Sequence, residues 1–153
     1  MQNKSVPLKH NKPSIGSLKD FLINGGIHPS YQRLRIYEFL AKNNSHPTVD
    51  IIYSSLLKEI PTLSKTTVYN TLNLFHQKGI VYGLTIDENE VRYDANMKPH
   101  AHFKCVQCGH IFDIEIDSTF IANGFVCQHK VNERHLYLKG ICSNCMKAKP
   151  DCE

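Results

Sequence analysis

Cys105-Val106-Gln107-Cys108-Gly109, answered by Cys142-Ser143-Asn144-Cys145, decides how the second half of this chain is read. Each is a Cys-x-x-Cys pair, and residues 109–141 separate them. Two thiolates two residues apart grip one metal ion from a tight turn. Two such turns complete a tetrahedral four-sulfur shell, the common structural zinc arrangement. Gly109 follows the first turn, where the chain must reverse without a side-chain clash. One pair alone equally fits a redox dithiol, and four thiols also allow two disulfides; two pairs in series favour zinc. Structural zinc contributes about 10–16 kcal/mol of apparent binding free energy in small peptides. A small sheet with one helix, the pattern around these pairs, buries little apolar surface, so such a staple helps it most.

Bulk properties narrow the class. The chain has 153 residues, 41% hydrophobic and 21% charged, which suits one ordinary globular domain or two small ones. No apolar run approaches the ~20 residues of a membrane helix, so no membrane partner is expected. Lys4, Lys9 and Lys12 are followed by no apolar stretch, so no secretion signal is expected either. The expected location is the cytoplasm, where six reduced cysteines bind metal more readily than they pair. A net charge of +4 permits a nucleic-acid partner without demanding one.

Ahead of the first Cys pair, the sequence reads as four helices and a hairpin. Residues 1–16 are polar, without an apolar period, and read as a flexible arm. Ser17 is placed to cap a short helix carrying Leu18, Phe21 and Leu22, ended by Gly25-Gly26. Ser30 caps a second, with Leu34, Ile36, Tyr37 and Leu40 as its stripe. A third opens at Pro47-Thr48 and stops by Pro61. Ser64 caps a fourth over Lys65 to Lys78, with Val68, Leu72 and Phe75 on one face and Gly79 beyond its end. Val81 to Ile86 and Glu90 to Tyr93 read as two strands. This is the order of a winged helix-turn-helix. The start of the fourth helix offers Ser64, Lys65, Thr66, Thr67, Tyr69 and Asn70, groups that can meet base edges and phosphates in a DNA major groove. A solvated face on a surface helix is the plain alternative.

Residues 96–99 read as a hinge, and a second unit starts at His100. Ala101 to Lys104 and His110 to Ile116 read as strands flanking the first Cys pair, with Phe112, Ile114 and Ile116 alternating against Asp113, Glu115 and Asp117. Ser118 to Gln128 reads as a short helix, and Val131 to Lys139 as a strand leading to the second pair. The expected fold is therefore α+β: a winged-helix domain over 17–95, a small α/β domain over 100–146 with a four-cysteine zinc site, and a tail over 147–153.

A second constellation is made of nitrogen and oxygen. His100 and His102 share one face if they lie on a strand. Asp113 sits on the neighbouring strand, Asp94 closes the hairpin, and His46 lies in the loop before the third helix. Mixed imidazole and carboxylate shells suit Fe²⁺, Mn²⁺ or Zn²⁺. Taken singly, His46 is equally a loop cap and Asp94 a turn residue; only His100 and His102 have metal-like spacing.

Several of these stretches, in this order, resemble the ferric uptake regulator family of metal-dependent bacterial repressors. The likeness runs from about Ser17 to Cys145. It is carried by Gln32-Arg33, Ser45-His46-Pro47-Thr48, Ser64 to Leu72, Gly79-Ile80-Val81, Arg92-Tyr93-Asp94, His100 to Cys105 and the two Cys pairs. The resemblance implies a homodimer that binds double-stranded operator DNA through Ser64 to Leu72 and pairs through its C-terminal domain. It implies structural zinc on Cys105, Cys108, Cys142 and Cys145, and a regulatory site on His46, Asp94, His100, His102 and Asp113.

Asp113, five residues after Cys108, is most similar to the peroxide-sensing branch; iron- and zinc-sensing branches usually carry Glu there. In that branch bound Fe²⁺ reacts with H₂O₂, a ligand His becomes 2-oxo-histidine, and the DNA is released, whereas Mn²⁺ supports binding without this sensitivity. His46 and His100 are the matching positions. Many members hold a further metal with an acid where Ala101 stands and a His where Arg134 stands, so a complete third site is not expected. Tyr31 stands where Pro is common, and Cys127 and Cys152 have no assigned role. The rival readings are an iron- or zinc-availability repressor of the same fold, a zinc hydrolase lacking any His-Glu-x-x-His motif, and a thiol oxidoreductase lacking a thioredoxin-like pattern. No enzymatic activity is expected.

Overall fold

The computed structural model describes residues 15–116, 125–126, 128–131 and 133–147. Most of the expected arm and tail, residues 118–124 of the expected short helix, and both Cys127 and Cys152 lie outside the described residues.

Four helices come first: α1 (Ile15–Asn24), α2 (Tyr31–Lys42), α3 (Val49–Leu56) and α4 (Lys65–Gln77). The capping chemistry explains most of their bounds. Ser30, Thr48 and Ser64 are extended N-cap residues whose side chains accept from the amides of Arg33, Ile51 and Thr67. Tyr31 thus starts α2 without a proline because Ser30 supplies the cap. The first helix begins at Ile15, two residues before the expected cap at Ser17; Leu18 and Leu22 fix its buried face but not its first turn. Beyond its end at Asn24, Gly26 has a φ of 70° that suits a glycine, and the amides of Gly26 and Ile27 return to the carbonyls of Ile23 and Leu22. Gly79, at φ 68°, closes α4 in the same way.

A short hairpin follows, β1 (Tyr82–Leu84) with β2 (Arg92–Asp94), in the register Tyr82↔Asp94. Both strands are shorter than expected, and the second takes in Asp94 while leaving out Glu90 and Val91. Leu84, the last residue of β1, and Ile86 just beyond it pack with Ile111. Ile36, Ile52, Val68, Leu72, Phe75 and Val81 are wholly buried in the main core shared by the helices and the hairpin.

The second sheet has the order β4-β3-β7, from β3 (His100–Cys105), β4 (Ile111–Glu115) and β7 (Tyr137–Gly140). β4 runs antiparallel and β7 parallel to β3. The expected strand over Val131 to Lys139 is therefore confined to its end, where His102 to Cys105 offer a pairing edge to Tyr137 to Gly140. The expected helix does not reach Gln128. Phe125–Val126 (β5) instead pairs with His129–Lys130 (β6) around Gln128, at φ 68°. A final short helix, α5 (Ser143–Lys147), was not anticipated; it winds out of the second Cys pair, its Met146 amide donating to the Cys142 carbonyl.

The two sheets meet through Leu84, Ile86 and Ile111, with Tyr82 and Tyr137 packed alongside. The Thr85 amide donates to the Tyr137 hydroxyl at 3.2 Å. These contacts set the hairpin against β3, β4 and β7.

Candidate metal centres and nucleic-acid interface

The parallel pairing of β3 and β7 is what brings the two Cys pairs together. Both strands leave the sheet in the same direction, and Cys105 stands opposite Gly140. Cys105 ends β3, and Cys142 follows Gly140 by two residues. The Gly109 backbone, at φ 73°, turns the first pair back, its amide donating to the Cys105 carbonyl. One sulfur each from Cys105, Cys108, Cys142 and Cys145 falls within 4.8 Å of every other. The Cys108 and Cys142 sulfurs lie 3.8 Å apart; a tetrahedral zinc with bonds near 2.3 Å sets its sulfurs about 3.8 Å apart. The amides of Cys108 and Cys142 point at the Cys105 sulfur, 3.5 and 3.3 Å away, and lower its pKa to about 6. Neighbouring thiols push Cys145 up to about 12. The donor set and spacing fit zinc: one ion satisfies four thiolates that otherwise repel one another.

The nitrogen–oxygen cluster draws on four segments. Strand alternation puts His100 and His102 on one face of β3, and the antiparallel register puts Asp113 of β4 directly opposite His102. Asp94 comes from the end of β2, and His46 from the loop before α3. The Asp94 Oδ2 atom lies 2.9 Å from His100 Nε2, 3.3 Å from His102 Nε2 and 3.9 Å from His46 Nε2. The Asp113 Oδ1 atom lies 2.8 Å from His46 Nε2 and 3.5 Å from His100 Nε2. The Nε2 atoms of His100 and His102 are 2.9 Å apart. An ion with bonds of about 2.1 Å sets neighbouring donors about 3.0 Å apart and opposite ones about 4.2 Å apart, so these five atoms suit one shared centre.

Three further observations favour an ion here. His46 is buried, and neither ring nitrogen has a hydrogen-bond partner among the described residues. Its approach to Asp113 is close but not aligned as a hydrogen bond, which is how two donors face one cation. His46 also holds φ at 49°, a left-handed conformation that non-glycine residues adopt at a cost. Outer contacts then orient the donors: His100 Nδ1 meets the Lys98 carbonyl at 2.6 Å, so its proton belongs there and Nε2 is left to the centre. The Asn96 amide donates to Asp94 Oδ1 at 2.8 Å, leaving Oδ2 inward.

Electrostatics follow from this crowding. Burial opposes charge on His100, but Asp113 and Asp94 outweigh it and raise its pKa to about 10. Burial likewise opposes charge on Asp94, yet bonds from His100, His102 and the Asn96 amide lower it to about 2. Asp113 is held well below the usual carboxylate range by His100 and His46 against the same burial. A doubly anionic pocket offset by one borrowed proton, on His100, is one that a divalent cation can occupy. The Asp113 side chain is 28% exposed, whereas His46 is 1% and His100 5%, so solvent reaches the cluster past Asp113.

On α4, Ser64, Lys65, Thr66, Tyr69 and Asn70 are exposed and Thr67 is half-buried. Val68, Thr71 and Leu72 face inward. Part of this face is already engaged. The Ser64 hydroxyl accepts from the Thr67 amide at 3.0 Å, and Lys65 pairs with Asp50 at 2.7 Å.

Among the described residues, these Cys and His/Asp sets are the two groups of three or more metal-ligating side chains that converge. At the positions compared for a third site, Ala101 is fully buried, and His135 meets Glu133 at 3.3 Å. The sequence reading missed Asp87, Arg92 and Lys104 as partners of the cluster. Asp87 reads as an ordinary turn residue, and only tertiary pairing reveals its role.

Comparison with known proteins agrees with this geometry. A family model described as the ferric uptake regulator family matches residues 24–138. The peroxide-responsive repressor PerR of Staphylococcus epidermidis is 33% identical over 135 residues, covering 86% of this chain and 87% of that protein. The peroxide operon regulator of Bacillus subtilis is 34% identical over 139 residues, covering 89% and 93%. The crystal structure of the Campylobacter jejuni peroxide stress regulator superposes with a TM-score of 0.60 at 26% identity, covering 87% of this chain and 99% of that one.

Proposed function

The chain belongs to the ferric uptake regulator family of metal-dependent repressors, and from that premise we propose that it is a cytoplasmic, peroxide-responsive repressor. It binds double-stranded operator DNA as a homodimer and lets go when one of its own imidazoles is oxidised. The observation that carries this reading is the convergence of three Nε2 atoms and two carboxylate oxygens from four chain segments. Asp113, the shorter acid at its solvent side, favours peroxide sensing, as do the relatives named peroxide-responsive repressors.

Zn²⁺ is held by Cys105, Cys108, Cys142 and Cys145 as a fixed part of the fold. Fe²⁺ or Mn²⁺ is held by His46, Asp94, His100, His102 and Asp113. Residues 17–95 form the DNA-reading unit, 96–99 a hinge and 100–146 the pairing and metal-binding unit, with 1–16 as an arm and 147–153 as a tail. Ser64, Lys65, Thr66, Thr67, Tyr69 and Asn70 face the DNA.

His46 and Asp94 belong to the reading unit, and His100, His102 and Asp113 to the other, so bringing all five donors onto one centre fixes the angle between units. In a dimer that angle sets the spacing of the two α4 helices, which must match half-sites about one DNA turn apart. Iron, when bound, would mediate the passage of two electrons from an imidazole ring to H₂O₂. The net change converts one imidazole C–H to a carbonyl and releases water: imidazole plus H₂O₂ gives oxo-imidazole plus H₂O. An oxidised His46 or His100 is a poor donor, the centre loses a ligand, and the population spreads over angles that miss the groove. The ligand is spent, not regenerated, so the chain is a sensor and not a catalyst.

The test is mass spectrometry of iron-loaded protein before and after peroxide, with DNA binding followed in parallel. One added oxygen on the peptide holding His46 or His100, with DNA release, is expected; manganese-loaded protein should show neither. Iron-dependent DNA binding that survives peroxide with unmodified histidines would instead mark an iron-availability repressor.

A further inference from the structure

One step along from the metal cluster, on the same faces of the same strands, lies its electrostatic converse. Strand alternation puts Lys104 beside His102 and His100 on β3, and Arg92 beside Asp94 on β2. Between Lys104 and Arg92 sits the Asp87 carboxylate, mostly buried. One oxygen accepts from Lys104 Nζ and the other from Arg92 Nε. Where the cluster gathers anions and imidazoles around a place for a cation, this neighbouring set gathers two cations around one anion. Burial works against the Asp87 charge, but Arg92 and Lys104 overcome it and keep the carboxyl below its ordinary range.

Each arm of this set ends on an element that carries a metal donor. Arg92 Nη1 donates to the His46 carbonyl at 3.2 Å. The adjacent Tyr93 amide donates to the Pro47 carbonyl at 3.0 Å. Together they pin the left-handed turn that aims His46 inward. Lys104 is two residues from His102 and ties β3 to the hairpin loop that contains Asp87. Asp113 needs no such tie, because the β3–β4 ladder already places it opposite His102.

We propose that Asp87 is a positioning residue for the His46, Asp94, His100, His102 and Asp113 centre: through Arg92 it holds the His46 turn, and through Lys104 it docks the hairpin on the strand bearing His100 and His102. The proposal rests on the reading of that cluster as a metal centre. Asp87 touches no ligand atom. It assembles the donors before the ion arrives, so its removal lowers affinity by making the ion do the assembling.

The experiment uses the full-length chain, zinc-loaded and stripped of the second metal. Mn²⁺ is titrated into it, zinc content is measured, and amide exchange is followed without manganese. Asp87→Asn is expected to weaken Mn²⁺ binding about 10- to 100-fold, keep one zinc per chain, and speed exchange of the Tyr93 amide. Lys104→Met is expected to weaken Mn²⁺ binding while leaving Tyr93 exchange unchanged, since the Arg92 arm stays intact. A purely structural role would raise exchange throughout or release zinc, and either result overturns the proposal. Wild-type affinity in both variants also overturns it while leaving the metal centre standing. If the wild-type chain takes up no manganese beyond its zinc, the centre itself falls and the proposal with it. Should Asp87→Asn fail to fold, Lys104→Met decides the matter by the same affinity criterion.

Discussion

His102 stands directly opposite Asp113 across the β3–β4 ladder, so an imidazole and a carboxylate are matched by backbone register alone. The ladder carries three of the five donors of the nitrogen–oxygen centre, and the other two, His46 and Asp94, must be delivered from outside the sheet. Asp113→Asn keeps the size of the side chain and removes its charge. Mn²⁺ affinity should fall at least about tenfold, the scale seen even for an outer partner of a metal ligand. Titration against a fluorescent manganese competitor checks this.

His46→Ala separates the two centres. It removes the donor that joins the loop before α3 to the strands, and it touches no cysteine. Metal-dependent DNA binding should be lost while one zinc per chain remains. Fluorescence anisotropy with operator DNA, alongside elemental analysis, gives both readouts. Normal DNA binding by this variant without added metal would rule out the clamp.

Proton release should accompany metal uptake. In the metal-free chain the His100 pKa is raised to about 10, so near pH 7.5 its imidazole carries the proton that an ion must displace. Calorimetry in buffers of different ionisation heat should report release of about one proton per Mn²⁺ at that pH. Apparent affinity should climb as pH rises towards 10. For folding the signs run the other way on the two partners. The raised His100 value contributes stability that is complete below about 6.5 and fades as pH rises towards 10. The depressed Asp94 value contributes stability present above about 3.9 and lost as pH falls towards 2. The metal-free chain should therefore gain most from this pair between about pH 4 and 6.5, readable as a plateau in thermal midpoint.

Cys142→Ser should release the zinc and with it the parallel pairing of β7 on β3. Zinc binding in such sites is itself folding free energy, so the thermal midpoint should drop by at least about 10 °C. His46→Ala, measured beside it, should leave zinc content unchanged.

At the DNA face, Lys65→Ala should reduce the slope of log affinity against log salt by about 1, the signature of one lost phosphate contact. The Lys65–Asp50 pair is largely exposed on both sides, and such pairs are worth little. Asp50 therefore does not withhold the lysine from a phosphate. An unchanged slope would take Lys65 out of the interface.

The first four helices were legible because their signals are local. Ser30, Thr48 and Ser64 announce starts by capping, and Gly79 announces an end, all within a few residues. The Cys pairs were equally plain, since spacing alone sets their geometry. The strand bounds were not: Val131 to Lys139 has the composition of a strand, but among the described residues of that stretch the pairing with β3 begins at Tyr137. Phe125 and Val126, inside the expected helix over Ser118 to Gln128, instead pair with His129 and Lys130 around Gln128. The five donors of the nitrogen–oxygen centre could be named from the sequence only with the help of the family resemblance, and their convergence is a tertiary fact. Asp87 was invisible because its partners, Arg92 and Lys104, are ordinary surface residue types until the fold brings them together.

β3 begins with His100 and ends with Cys105. Six residues of strand span roughly 17 Å at about 3.3 Å per step, so one rod carries at one tip His100, one of the two imidazoles proposed to be oxidised, and at the other a member of the four-sulfur cluster. On the proposed reading, oxidation at the first tip would leave the sulfur cluster untouched, and a chain that had fired once would stay folded although its two units were no longer held at one angle. A pool of spent, still-folded molecules would then persist beside fresh ones, and the cell would have to clear them by proteolysis or dilute them by growth before the alarm could be reset.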